Sequence, residues 1–94
     1  MEKPPGKLED AAVLCFAILD ESISRTGNTT HIVGGKDVEA FNALAIGKCF
    51  SDRGVYLFYC DSFWQVMTDT YHDTIEVVKQ QAEYEYTNLA WLGI

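Results

Sequence analysis

The chain has 94 residues, 48% of them hydrophobic, and a formal net charge of -7 at pH 7. This length allows one domain with a modest core, and the apolar content excludes a disordered chain. An acidic surface repels phosphate backbones and anionic lipid, so we expect no nucleic-acid partner and no membrane binding, and any partner should be a basic protein. The same charge could instead serve solubility alone.

Three cysteines, Cys15, Cys49 and Cys60, form an odd set without CxxC spacing. This pattern fits neither a disulfide framework nor a structural zinc site, so we expect reduced thiols and no metal or other cofactor. The apolar run from Ala11 to Leu19 is bracketed by acidic pairs, is followed by no small-residue cleavage site and is too short to span a bilayer. We therefore expect a cytoplasmic protein.

The N-terminal half predicts a tail, one strand and a loop region. Residues 1–10 contain two prolines, a glycine and several charges, which predicts a flexible tail ahead of a single domain at residues 11–94. The apolar run at residues 11–19 favours a strand over a buried helix because of its branched and aromatic residues. Residues 22–40 contain turn signals around one short strand at residues 30–33.

A meander of three strands is predicted at residues 43–50, 55–61 and 64–70. A four-residue loop with Gly54 at its end would place Cys49 opposite Tyr56, and a tight turn at residues 62–63 would place Tyr59 opposite Val66.

The two faces of this meander are both apolar. One face would hold Leu57, Tyr59, Phe50, Trp64 and Val66 among others, and an odd loop length would exchange the faces of the third strand. Because both faces are apolar, both should be covered. The segment at residues 11–19 is the natural second cover or an additional strand, and a partner molecule is the remaining candidate.

A helix is predicted from Asp73 to Tyr86. Asp73 and Glu76 have the spacing of a capping box. At 100° per residue, an apolar stripe should pack on the sheet; it consists of Ile75, Val78, Ala82 and Tyr86. The predicted fold is therefore α+β: a three- to five-stranded, mainly antiparallel sheet packed by one C-terminal helix.

The opposite side of the helix carries a second, smaller apolar ridge. Val77 and Tyr84 lie there between Glu76 and Glu83, and aromatic residues ringed by acids resemble an interface centre with a charged rim. With Trp91, these residues are the candidate partner-binding site. The alternative is intramolecular, because the apolar tail at residues 89–92 could fold back over the ridge and complete the core.

A second candidate constellation lies at the junction between strand and helix. Asp69, His72 and Asp73 could present an imidazole between two carboxylates for acid–base chemistry or metal binding. A purely structural role for these residues is favoured, because Asp73 serves as a helix cap and Asp69 can accept a hydrogen bond from a backbone N–H in a turn.

Residues 43–86 have the meander-then-helix layout, small size and acidity of bacterial immunity and antitoxin proteins, which this chain resembles as a class. The segment VYLFYCDSFWQVMTDTYHDTIEVVKQQAEYEY is similar to the strand-strand-helix stretch of HicB-type antitoxins. The resemblance implies binding to a toxin domain and blocking of its active site. It implies no site residue, since no diagnostic residue matches, and the DNA-binding segment that such proteins often add is not evident here.

Our functional hypothesis is a non-enzymatic module that binds a basic protein, with an immunity-like or antitoxin-like inhibitor as its specific form. One alternative is a homodimeric structural module that covers its second apolar sheet face with its own copy. The other is a small-molecule or metal-dependent enzyme centred on Asp69, His72 and Asp73.

Overall fold

The computed structural model describes residues 1–27, 31–33, 36–38 and 41–94. The elements in chain order are β1 (Lys7–Leu8), β2 (Ala11–Ile18), β3 (Ser24–Arg25), β4 (His31–Val33), β5 (Lys36–Val38), β6 (Ala43–Lys48), β7 (Val55–Cys60), β8 (Val66–His72), α1 (Ile75–Glu85), β9 (Tyr86–Thr87) and β10 (Leu92–Gly93). The α+β class is confirmed. Of the predicted strand at residues 30–33, residues 31–33 form β4, and residue 30 lies outside the described residues, as do parts of the predicted turns at residues 26–28 and 34–35. The same region contains β3 and β5, which were not predicted.

The main sheet is antiparallel and has the strand order β1-β2-β6-β7-β8. The apolar run after residue 10 is an additional strand, because β2 pairs with β6 along most of its length. The outer edge of β2 is shared: β1 pairs with its first half and β10 with its second half. Two smaller sheets pair β3 with β9 and β4 with β5.

The β6–β7 pairing differs from the prediction by two residues. Tyr56 lies opposite Gly47, not Cys49, because β6 ends at Lys48 and the connection is six residues long. A two-residue shift preserves the sheet faces, so the predicted division of β6 and β7 into faces holds. The exception is Phe50, which lies in the connection and is fully exposed.

Gly47 permits close packing in this pairing. A Cβ at this position would lie 2.8 Å from the Phe58 ring and 3.1 Å from Cβ of Ala11. The absence of a side chain therefore lets β2 and β7 pack closely on either side of β6.

The connection between β7 and β8 is longer than the predicted two-residue turn. Asp61 accepts hydrogen bonds from the backbone N–H of Phe63 at 2.8 Å and of Gln65 at 2.9 Å. Trp64 adopts the left-handed conformation with φ 62°. The pairing then shifts between Tyr59 and Cys60, so Val66 lies opposite Cys60. The predicted placement of Trp64 and Val66 on the face of Tyr59 is wrong for this reason.

One face of the sheet carries what we call the tail-side core. It consists of Leu8, Ala11, Val13, Phe16, Ala43, Ala45, Phe58, Cys60 and Trp64. The Trp64 ring meets the Phe16 ring edge to face, with centroids 5.8 Å apart, and its Nε1 donates to the backbone oxygen of Glu2 at 2.9 Å. Trp64 and the N-terminal segment therefore cover this face.

Residues 1–10 contribute to the core, where the sequence led us to expect a tail that buries little surface. Pro4 and Leu8 are buried, and the N–H of Val13 donates to the oxygen of Gly6 at 2.9 Å. Composition did not reveal these contacts, because they depend on a sheet face formed by distant residues. The flexibility of the segment stays a prediction.

The other face carries the helix-side core. It consists of Phe41, Leu44, Ile46, Val55, Leu57, Tyr59, Val78, Ala82 and Tyr86, with Leu89 and Trp91 packed against it. Both apolar faces are thus covered by the chain itself, as the two-sided apolar pattern required.

Candidate partner-binding site

The N-cap of the helix α1 lies one residue later than predicted, and the helix itself begins at Ile75. Thr74 is the N-cap, with extended backbone angles, and its side-chain oxygen accepts from the N–H of Val77 at 3.2 Å. The prediction that Asp73 caps the helix is wrong, because Thr74 already supplies the side-chain acceptor of the N-cap position. Glu76 in the first turn still complements the positive end of the helix dipole.

The inner side of α1 follows most of the predicted stripe. Val78 and Ala82 are fully buried and Tyr86 is 4% exposed. Ile75 is 36% exposed, so its predicted place in the packed stripe is wrong; as the first helical residue it lies at the margin of the contact.

Glu85 is a buried acid that the sequence analysis missed. It is 3% exposed, and its Oε2 accepts hydrogen bonds from the Tyr59 hydroxyl at 2.5 Å and from Gln81 Nε2 at 3.0 Å. Burial and the interaction with Glu85 raise the pKa of Tyr59 above its ordinary value. The helical period contained the signal, since Glu85 lies seven residues after the buried Val78 and three after Ala82.

The outward face of α1 is the set Glu76, Val77, Gln80, Glu83 and Tyr84. All five are exposed; Val77 is 42% and Tyr84 54% exposed. At 100° per residue they fall opposite the buried stripe.

Lys79, the basic residue of α1, lies to one side of this face. It is half-buried, and its charge acts on the Cys15 thiol of β2. The outward face of α1 therefore contains two carboxylates and no basic side chain.

The segment after the helix completes the core without covering the outward face. Leu89 and Trp91 pack against the helix-side core, while Val77 and Tyr84 stay exposed. Trp91 is half-buried, and its Nε1 has no hydrogen-bond partner among the described residues. Trp91 thus packs against the helix-side core, and its place in the partner-binding site stays a prediction.

The constellation Asp69, His72 and Asp73 does not converge on one point. Asp69 lies opposite Phe58 and His72 opposite Val55, and the two side chains point to opposite sheet faces because they are three residues apart in β8. The ring of His72 is half-buried and its Nε2 lies 2.7 Å from the Thr70 hydroxyl oxygen. A cleft of about 420 Å³ lies nearby, lined by Arg53, Gly54, Tyr71 and Asp73.

The pKa values of all three thiols are raised. Burial raises the pKa of Cys15 and of Cys49, and burial with the neighbouring charge of Asp61 raises the pKa of Cys60 to about 12. A raised pKa lowers the thiolate fraction, which is the reactive form.

The part of the chain that the structure describes contains no group of three or more histidine, cysteine or acidic residues arranged to hold a metal ion. None of its helices has the length and apolar character needed to cross a membrane.

Comparisons with known proteins give no relative: no protein-family model, no curated protein and no solved structure matches the chain.

Proposed function

We propose that this protein is a non-enzymatic binding module that docks a basic protein on the outward face of α1. The observation that carries the proposal is the exposure of Val77 and Tyr84 on one side of the helix, beside Glu76 and Glu83. Neither apolar side chain belongs to the two buried cores. A partially exposed Tyr with a neighbouring aliphatic residue and an acidic rim is the arrangement of many interface centres.

Charge supports a basic partner in particular. Residues 61–94 carry six acidic residues and one basic residue, Lys79, which lies to the side of the outward face. Such a surface attracts lysine and arginine side chains and speeds their encounter at low salt.

The specific form that we propose is stoichiometric inhibition of a basic protein, as in the immunity and antitoxin proteins that the layout resembles. In this form the outward face covers a functional surface of the partner, and the module itself performs no catalysis. The rigid support of the helix by the sheet favours this role, because a pre-organised face loses little conformational entropy on binding.

Site-specific photocrosslinking tests the location of the interface. In the cells that express the protein, a photoreactive residue at position 84 should form a covalent crosslink to the partner, whereas the same residue at position 63 should not. Phe63 is a suitable control because it is 87% exposed and lies in the turn between β7 and β8. Equal crosslinking at both positions would contradict the proposal.

Ionic strength tests the charge of the partner. With the partner recovered by crosslinking, the association rate should fall steeply as salt rises, because exposed charges are screened over about 8 Å at physiological salt. The double substitution Glu76→Gln and Glu83→Gln should flatten this dependence, and Glu21→Gln, at an exposed acid outside α1, should leave it unchanged. An association rate that is insensitive to salt would refute a basic partner.

A further inference from the structure

The cleft beside β8 combines two opposite charges that do not pair. It is lined by Arg53, Gly54, Tyr71 and Asp73 and has a volume of 420 Å³. This volume lies within the range of about 300–1,000 Å³ that is usual for small-molecule sites. Among the described residues, neither the Arg53 guanidinium nor the Asp73 carboxylate forms an ion pair or a hydrogen bond. Both groups are thus available to a ligand.

Hydrogen bonds from Lys48 and Tyr56 hold the loop that contains Arg53. Nζ of Lys48 donates to the backbone oxygens of Asp52, Arg53 and Gly54 at 2.8, 3.1 and 3.4 Å. The Tyr56 hydroxyl donates to Oδ2 of Asp52 at 2.9 Å. These contacts fix the backbone on both sides of Arg53, so little ordering of the loop is needed when a ligand binds.

Tyr71, which also lines the cleft, is hydrogen-bonded to the same loop. The N–H of Gly54 donates to the Tyr71 hydroxyl at 2.6 Å, and a Cβ at Gly54 would clash with the backbone oxygen of His72. Glycine is therefore needed for the close approach of loop and strand. Because the Tyr71 oxygen accepts this bond, its own hydrogen remains free to donate to a ligand. The Tyr71 side chain is 48% exposed and adds an apolar surface.

We propose that this cleft binds a small zwitterion that carries an ammonium and a carboxylate, such as a free amino acid or a short peptide. A simple anion would meet the Asp73 charge, and a simple cation would meet the Arg53 charge, so each would lose part of its attraction. A zwitterion satisfies both: its carboxylate accepts from Arg53 and from the Tyr71 hydroxyl, and its ammonium donates to Asp73. The site is separate from the outward face of α1 and does not depend on the proposed function.

Titration with L-phenylalanine, followed by amide chemical shifts of the full chain, tests the proposal. We expect saturable shifts centred on Gly54, Tyr71 and Asp73, with a dissociation constant of about 1–10 mM because both charges are exposed to water. N-acetyl-L-phenylalanine lacks the ammonium and L-phenylalaninamide lacks the carboxylate, so each should bind at least about tenfold more weakly, a loss of about 1.4 kcal/mol. Glycylglycine distinguishes a site for peptides from one for free amino acids.

Variants separate the two ends of the ligand. Arg53→Gln should abolish discrimination against the amide, and Asp73→Asn should abolish discrimination against the N-acetyl compound, whereas Glu21→Gln should change neither. The spectrum of each variant also reports whether it is folded. Equal binding of L-phenylalanine and its N-acetyl derivative to the unaltered protein would overturn the proposal, as would shifts that do not saturate.

Discussion

Replacement of Trp64 by alanine gives the sharpest test of how the tail-side core is covered. The Trp64 side chain is 8% exposed, packs on Phe16 and donates to the backbone oxygen of Glu2. Truncation of a buried Trp usually costs about 3–5 kcal/mol. Since small domains have a free energy of unfolding of about 5–15 kcal/mol, Trp64→Ala should lose roughly a fifth or more of the stability.

Two other substitutions at this position separate packing from backbone strain. Trp64→Phe keeps a ring but leaves the Glu2 oxygen without its donor, so it should cost about 1–3 kcal/mol. Trp64→Gly should be about 1 kcal/mol more stable than Trp64→Ala, because glycine adopts the positive φ of 62° without a steric penalty. At a position with extended strand angles, the alanine variant would instead be more stable than the glycine variant.

Urea unfolding followed by far-ultraviolet circular dichroism measures these changes without relying on tryptophan fluorescence. The adjacent Phe63→Ala is the control, since Phe63 is 87% exposed and its loss should change stability by less than about 0.5 kcal/mol. Equal effects of Trp64→Ala and Phe63→Ala would refute our description of the tail-side core.

Three further predictions concern the helix and the buried thiol. Tyr84→Ala should weaken partner binding by at least about tenfold. It should change the free energy of unfolding by less than about 1 kcal/mol, because the side chain is 54% exposed. Comparable losses of free energy in a binding titration and in urea unfolding would contradict this prediction. Thr74→Ala should cost about 1 kcal/mol in urea unfolding, and Asp73→Ala only a few tenths; the reverse order would restore Asp73 as the cap. The pKa of Cys60 is raised from 9.0 to about 12 in the folded state, so its contribution to stability is present below pH 9 and is lost as pH rises from about 9 towards 12. The free energy of unfolding of Cys60→Ala should therefore decline less steeply over that range. An unchanged decline in that variant would assign the pH dependence to other groups.

Much of the fold could be predicted because its signals are local. Residue type and periodicity predict the strand after residue 10, the two strands on either side of Gly54, and the helix with Val77 and Tyr84 on its outward side. The requirement for two covered faces also followed from the sequence, since β6 and β7 are apolar on both sides. The candidate partner-binding site was found in the same way, from the phase of one helix.

The errors arose where a loop decided the geometry. The sequence suggested a two-residue turn after β7, but Asp61 holds a longer connection through two backbone amides, and Trp64 turns into the left-handed conformation. The register shift between Tyr59 and Cys60 then moves Val66 to the other face of the sheet, where Trp64 packs on Phe16.

The sequence by itself determined the class of fold, the four longest strands, the helix, the two apolar sheet faces and the acidic outward face of α1, because each depends on neighbouring residues and their period. The tertiary structure decided what covers the second face. The segment containing Pro4 and Leu8 lies beside Trp64, which is about sixty residues away in the sequence but joined to Glu2 by a hydrogen bond. It also brought Arg53, Tyr71 and Asp73 around one cleft. Contacts of this kind depend on strand order and loop conformation, which no local pattern specifies.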